Sequence, residues 1–161
     1  MQDERFTVQA ESVFNTLIDL LNELNWECGV DKSQLFASCV LTGKDFPVPI
    51  NFSCSKQKGI LTLTSPLSYK VAKGAHSRVA LAVNLINSVL VDGNFDFNLQ
   101  NGKIAFRCSL SFIDSVISKR AISHMIKLVL TTVDEYNDKI FTISKGMYGL
   151  DSLEEYLKNG V

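Results

Sequence analysis

The dipeptide Asn101-Gly102 is the feature that most constrains how this chain can fold. Asn-Gly is the preferred pair for a two-residue type I′ turn between antiparallel strands, and apolar residues alternate with polar ones on both sides of it. Folding the chain about this turn predicts three apolar pairs on one face: Leu99 with Ile104, Phe97 with Phe106, and Phe95 with Cys108. On the opposite face Asp96 lies across from Arg107, a pair of opposite charges that favours the same register. The sequence therefore predicts a β-hairpin with one apolar face.

The same alternation predicts three further strands, in residues 35–41, 48–54 and 60–64. One face of each is apolar and the other is mostly polar, which is typical of antiparallel strands with one buried side. Pairing across the turn between the last two places Cys54 opposite Leu61 and Phe52 opposite Leu63. Proline lacks the N–H that a sheet ladder needs, so the third strand is predicted to end at Ser65-Pro66.

Helices are predicted where apolar residues recur every three or four positions, in residues 10–25, 76–91 and 118–144. The C-terminal segment carries Ser152-x-x-Glu155, a capping-box pattern that predicts the start of a short terminal helix. That helix would have three leucines on one side: Leu150, Leu153 and Leu157.

These elements predict an α+β fold in the order α-β-β-β-α-β-β-α, with an antiparallel sheet of about five strands covered by helices on one face. The chain has 161 residues, of which 46% are hydrophobic, enough for one domain with a sizeable core. We expect a polar lead in residues 1–9, a single domain in residues 10–147, and a tail in residues 148–161.

The second predicted helix carries an apolar band that is too wide for a helix with one buried side. Leu81, Leu85 and Val89 extend its main stripe, so either another helix or a second copy of the chain must cover this side. We therefore predict a partner or dimer interface on this helix, formed by the following residues: Leu81, Asn84, Leu85, Ser88 and Val89.

Asn84 and Asn87 lie three residues apart on one flank of the same helix, and two interpretations of them are open. Their amides can bond the backbone of an adjoining strand or loop, as most buried polar groups do. Alternatively, they form the polar part of a dimer contact. The first interpretation is the more common one.

Charge and hydropathy narrow the class of partner. The net charge is −1 without a basic stripe, which argues against nucleic-acid binding. Neither a long apolar run nor a polybasic cluster indicates a membrane partner. The start of the chain is acidic and polar, unlike a signal peptide, so we expect a cytoplasmic protein.

No catalytic, metal-binding or cofactor-binding pattern is evident. The four cysteines lack C-x-x-C spacing, and Cys39, Cys54 and Cys108 are expected to be inert core thiols, which leaves Cys28 as the one to test for reactivity. His76 and His124 have no neighbours at ligand spacing, so both are expected to be surface residues. The sequence therefore predicts a protein that is not an enzyme and needs no cofactor.

A family resemblance rests on several segments taken together: Asn84-Leu85-Ile86-Asn87, Gly93-Asn94-Phe95-Asp96-Phe97, residues 101–107 (Asn-Gly-Lys-Ile-Ala-Phe-Arg), Val133-Asp134-Glu135-Tyr136, and the single Gly146. In these segments the chain resembles the YbjN family, a bacterial family also described as sensory transduction regulators. The resemblance implies an antiparallel sheet flanked by helices, a fold similar to that of type III secretion chaperones, and frequent dimerisation. It implies no enzymatic activity, and it supplies no catalytic residues.

Three functional hypotheses follow. The first is a non-enzymatic protein-interaction module, chaperone-like or regulatory, that acts as a homodimer with a protein partner of unknown identity. The second is a dedicated secretion chaperone that binds an extended client segment by a sheet edge or groove. The third, a small enzyme or ligand-binding domain, lacks any supporting constellation of residues.

Overall fold

The computed structural model describes residues 6–160, which form one six-stranded sheet and four α-helices. The strands are β1 (Gly29–Asp31), β2 (Phe36–Thr42), β3 (Pro47–Ser55), β4 (Ile60–Lys70), β5 (Asn94–Asn98) and β6 (Lys103–Ser111). The helices are α1 (Thr7–Glu23), α2 (His76–Val89), α3 (Lys119–Ser144) and α4 (Leu150–Asn159), and a short 3-10 turn (Lys73–Ala75) precedes α2.

The sheet is antiparallel throughout, in the order β1-β2-β3-β4-β6-β5. Alternate residues of the long strands are buried, and α1, α2 and α3 pack on that side. The predicted α+β class and the antiparallel sheet are confirmed. The predicted register between β3 and β4 is also confirmed, with Cys54 opposite Leu61 and Phe52 opposite Leu63.

The sixth strand, β1, was not predicted from the sequence. It has three residues, all exposed, so it carries no alternation that could reveal it. A turn joins it to β2, and the Asp31 carboxylate accepts hydrogen bonds there from the Ser33 hydroxyl and from the backbone N–H groups of Ser33 and Gln34. The Ser33 hydroxyl is the main reason that the pKa of Asp31 is lowered.

The prediction that β4 ends at Pro66 is wrong, because the strand continues to Lys70. Its pairing with β3 stops at Asn51–Thr64, and two positions further the same register would place Pro49 opposite Pro66. Neither proline has a backbone N–H, so the ladder is lost on that side only. On the other side Pro66 pairs with Ala105 of β6, and a register irregularity follows before Lys70.

The β5–β6 hairpin is present, but its predicted register is wrong by two residues. Phe95 pairs with Phe106 and Phe97 with Ile104, which leaves a four-residue loop in place of a two-residue turn. Consequently Leu99, predicted to be in the apolar row, lies in the loop and is 58% exposed.

The loop chemistry explains this shift. The Asn98 side-chain oxygen accepts hydrogen bonds from the backbone N–H groups of Gln100 and Asn101, at 2.9 and 3.2 Å. Gly102 adopts a positive φ of 71° and donates its N–H to the Asn98 carbonyl at 2.8 Å, which closes the loop. Asp96 and Arg107 are no longer directly opposite, but they still form an ion pair as diagonal neighbours, with Arg107 Nε 2.7 Å from Asp96 Oδ2.

The long helix α3 packs on the buried face of the sheet and contacts both α1 and α2. Its buried side runs from Ile122 to Ile143, within the helix predicted for residues 118–144. The Ser118 hydroxyl accepts a hydrogen bond from the Ala121 N–H at its start. At its end the Arg78 guanidinium donates to the carbonyls of Ile143 and Ser144, each at 2.9 Å, so that α2 caps α3.

The tail forms α4, which starts earlier than the capping-box pattern predicts. Gly149 is the residue before its first turn, without a side-chain cap, and Ser152 lies inside the helix. Leu153 and Leu157 are buried and Leu150 is half-buried. The helix therefore packs by the leucine side that the sequence indicates, and its contacts with α2 bring it to the predicted interface.

Candidate protein-contact site

Helix α2 is covered on more than one side within the chain. It contacts α3, α4 and β5, and four of its residues are buried: Val79, Ala82, Val83 and Ile86. The wide apolar band is thus explained in part by a second helical neighbour, α4. It is not fully covered, because Leu81 remains 56% exposed.

The predicted interface residues lie beside a groove between α2 and α4. Leu85, Ser88 and Val89 line one wall, and Glu154, Leu157 and Lys158 line the other. The groove has a volume of about 510 Å³. Leu81 lies one helical turn before Leu85 on the same side of α2, so its exposed side chain extends the apolar surface beyond the groove.

The two asparagines of α2 have different environments in the structure. Asn87 donates its side-chain N–H to the Phe95 carbonyl at 3.0 Å and accepts the Phe95 backbone N–H at 2.8 Å. It therefore satisfies both backbone groups of Phe95 at the outer edge of β5, as a neighbouring strand would, which is the first of the two interpretations. Asn84 is exposed and lies near the groove, so the dimer-contact interpretation stays open for this residue alone.

The prediction that Cys39 is an inert free thiol is wrong. Cys39 forms a disulfide with Cys28, with the two Cα atoms 4.6 Å apart. The sequence did not predict this pairing, because a spacing of eleven residues indicates a disulfide only when β1 and β2 are known to be adjacent. Cys54 and Cys108 are free and buried, as predicted.

Burial raises the pKa of the Cys54 thiol to about 12 and that of the Cys108 thiol to about 11, from an ordinary value of 9.0. Between pH 9 and 11 the unfolded chain loses these protons while the native chain keeps them, so stability falls as pH rises. Each thiol contributes a slope of up to roughly 1.4 kcal/mol per pH unit in that window.

Urea unfolding at pH 8.0 and pH 10.5 measures this loss of stability. At pH 8.0 the two thiols make their full contribution to the free energy of unfolding, and at pH 10.5 part of it is gone. A Cys54→Ala, Cys108→Ala double variant is the control and should lose clearly less stability between the two pH values. An equal loss in both proteins would rule out the thiols as its source.

Histidine positions agree with the prediction in one case out of two. His124 is exposed on α3. His76, however, is half-buried; its Nε2 lies 3.1 Å from the Val71 carbonyl oxygen and its ring packs edge-on against Phe97 at 5.3 Å. It therefore braces the start of α2 against β5, a structural position that the sequence did not indicate.

Residues 6–160 contain no group of three or more His, Cys, Asp or Glu side chains placed to hold a metal ion. None of their helices combines the length and apolar character that a membrane span requires.

The fold and the groove define a class: a single-sheet α+β protein with an open groove between two of its helices, α2 and α4. Residues 13–142 match the model of the YbjN family, described as "Putative bacterial sensory transduction regulator". The chain belongs to the YbjN family. The resemblance seen in the sequence is thereby confirmed over most of the chain, including α2 and the β5–β6 hairpin.

A solved structure of the same family shares the fold. The chain is similar to YbjN from E. coli, described with its crystal structure as a putative transcription regulator. The sequence identity is 16% and the TM-score is 0.54, over 78% of this chain and 91% of the E. coli chain. At this identity the likeness establishes the fold alone. No curated protein matches the chain.

Proposed function

We propose that this chain is a non-enzymatic protein-interaction module of regulatory or chaperone-like type, which acts as a homodimer. The carrying observation is the exposed apolar surface of α2 at Leu81, continuous with the α2–α4 groove. An exposed large apolar side chain beside an apolar groove is the kind of surface that proteins use to bind one another.

The rim of the groove favours a second copy as the occupant. In a two-fold symmetric contact each residue meets a different residue of the same surface, so the surface must be complementary to itself. Glu154 and Lys158 meet this requirement, because one turn of α4 presents both charges and their side chains lie 3.9 Å apart. A two-fold axis through the groove would place each charge near its opposite on the other copy.

Sedimentation equilibrium with two matched variants tests this proposal. Leu81→Glu places a charge in the contact, and we expect it to weaken dimerisation by at least about tenfold, the effect of losing roughly 1.4 kcal/mol. Val116→Glu is the control, since Val116 is 96% exposed in a loop away from α2. Both variants should keep the far-UV circular dichroism spectrum of the parent chain, which shows that each is folded, although a weaker dimer is expected to melt at a lower temperature.

Two results would contradict the proposal. The first is a parent chain that stays monomeric at high concentration while fully folded. The second is a dimer with the same affinity in both variants, which would move the contact to another surface.

A further inference from the structure

The disulfide lies at one edge of the sheet, far along the strand order from α2. Strand β1 is the outermost strand and pairs with β2 alone. Cys28 directly precedes β1, and its Cα lies 4.6 Å from that of Cys39, the spacing of a directly opposite pair in an antiparallel ladder. The bond therefore extends the β1–β2 pairing by one covalently fixed position.

Apart from the disulfide, β1 is held by its ladder with β2 and by the hydrogen bonds that the Asp31 carboxylate accepts in the turn between them. Its three residues are all exposed, so it gains almost nothing from apolar burial. Its ladder with β2 has three residue pairs, from Gly29–Ser38 to Asp31–Phe36. Closing the short loop between the two cysteines removes freedom from this segment, so the disulfide adds a covalent constraint to the few hydrogen bonds that keep β1 on β2.

The disulfide can be reached from solvent. Cys28 is half-buried, and Cys39, although only 4% exposed, lines a surface pocket together with Trp26 and Val40. The free thiols are not positioned to exchange with it, because Cys54 and Cys108 are buried on β3 and β6. Any exchange partner must therefore come from outside the chain.

We propose that the Cys28–Cys39 disulfide is a thiol–disulfide exchange site for a dithiol reductant, and that its redox state controls whether β1 covers the edge of β2. A reductant thiolate bonds to the Cys28 sulfur, the less buried of the two, and the Cys39 sulfur leaves as a thiolate that takes up a proton. The second reductant thiol then displaces Cys28 as a thiol. The protein gains two electrons and two protons, and the reductant becomes a disulfide.

Release of β1 would bare the outer edge of β2 at the three residues that β1 pairs with, Phe36, Ala37 and Ser38. A bare strand edge is a surface to which an extended segment can add. Because β1 and β5 end the sheet on opposite sides and α2 packs on β5, this site is separate from the α2–α4 groove. A variant that abolishes the homodimer would therefore leave this edge of the sheet unchanged.

Hydrogen exchange read by mass spectrometry tests the proposal, on the full chain before and after treatment with dithiothreitol under native conditions. We expect the disulfide to be reduced without denaturant, and amides in residues 29–38 to exchange at least about tenfold faster afterwards, while β3, β4 and β6 keep their protection. Cys28→Ser should show the fast exchange from the start and should not respond to dithiothreitol.

Each other outcome would overturn the proposal. Alkylation of the untreated chain that labels Cys28 and Cys39 would show that the bond does not form. A bond that resists dithiothreitol until the chain is denatured would be a structural disulfide and not an exchange site. Reduction that leaves exchange in residues 29–38 unchanged, or that unprotects the whole sheet, would show that the bond does not control this edge.

Discussion

Replacing Phe95 with alanine is expected to lower the free energy of unfolding by about 3–5 kcal/mol. Phe95 is 2% exposed, and its ring lies edge-on to that of Phe106, with 5.1 Å between the centroids. Truncation removes apolar burial and an aromatic contact, and it leaves a cavity where the hairpin meets the helices. Urea denaturation followed by circular dichroism measures the change.

Leu99→Ala is the matched control, since it removes an apolar side chain from the same hairpin. Leu99 is exposed in the four-residue loop, so its loss should change stability by no more than about 0.5 kcal/mol. A two-residue turn would instead put Leu99 opposite Ile104 in the core. A large loss for Leu99→Ala would therefore contradict the observed register.

Replacing Asn87 with alanine is expected to lower the free energy of unfolding by about 2–3 kcal/mol. Its amide makes two hydrogen bonds to the Phe95 backbone, and each such bond contributes about 1 kcal/mol. Removing the amide also leaves a partly buried N–H and C=O without a protein partner, which adds to the loss. Edge strand β5 should then show faster amide exchange before the rest of the sheet.

Asn84→Ala provides a control on the same helix. Both changes replace asparagine in α2 with the better helix former alanine, so the difference between them reports mainly the hydrogen bonds to Phe95. Because Asn84 is exposed, its replacement should change stability by no more than about 0.5 kcal/mol when both variants are measured at a concentration where the chain is monomeric. Equal effects of the two substitutions would exclude a special role for Asn87 at the edge of β5.

Periodicity predicted the elements that bury one continuous face. The stripe of α3 and the alternation of β3 and β4 appear in the structure where the sequence places them, and the β3–β4 register is the predicted one. These elements are long and their buried positions repeat, so a shift of one residue would expose the whole apolar set. The sequence therefore leaves few alternatives for them.

Three features depend on local interactions that the periodicity of the sequence does not reveal: the hairpin register, the pairing of β4 around Pro66, and the disulfide. The hairpin kept the predicted face, but its register depends on hydrogen bonds of Asn98 that compete with the two-residue turn favoured by Asn101-Gly102. Pro66 ends pairing on one side of β4 and permits it on the other, a distinction that needs the neighbouring strands. The disulfide depends on β1, which is too short and too exposed to predict.

For the interface on α2, too, the sequence predicted one part and not another. The wide apolar band predicted that α2 needs more than one neighbour, and α4 supplies one of them. The sequence could not show that Asn87 faces β5 while Leu81 faces solvent, because that depends on how α2 is rotated between α3 and α4. What covers Leu81 is the question on which the proposed function depends.

Isotope-filtered NMR on an equal mixture of labelled and unlabelled chain answers that question most directly, because it detects only contacts between two copies. We expect intermolecular signals from the methyl groups of Leu81, Leu85 and Val89, the residues that line and extend the α2–α4 groove. Intermolecular signals that arise instead from Val30 and Val40 at the opposite edge of the sheet, or none at any concentration, would contradict a homodimer through α2.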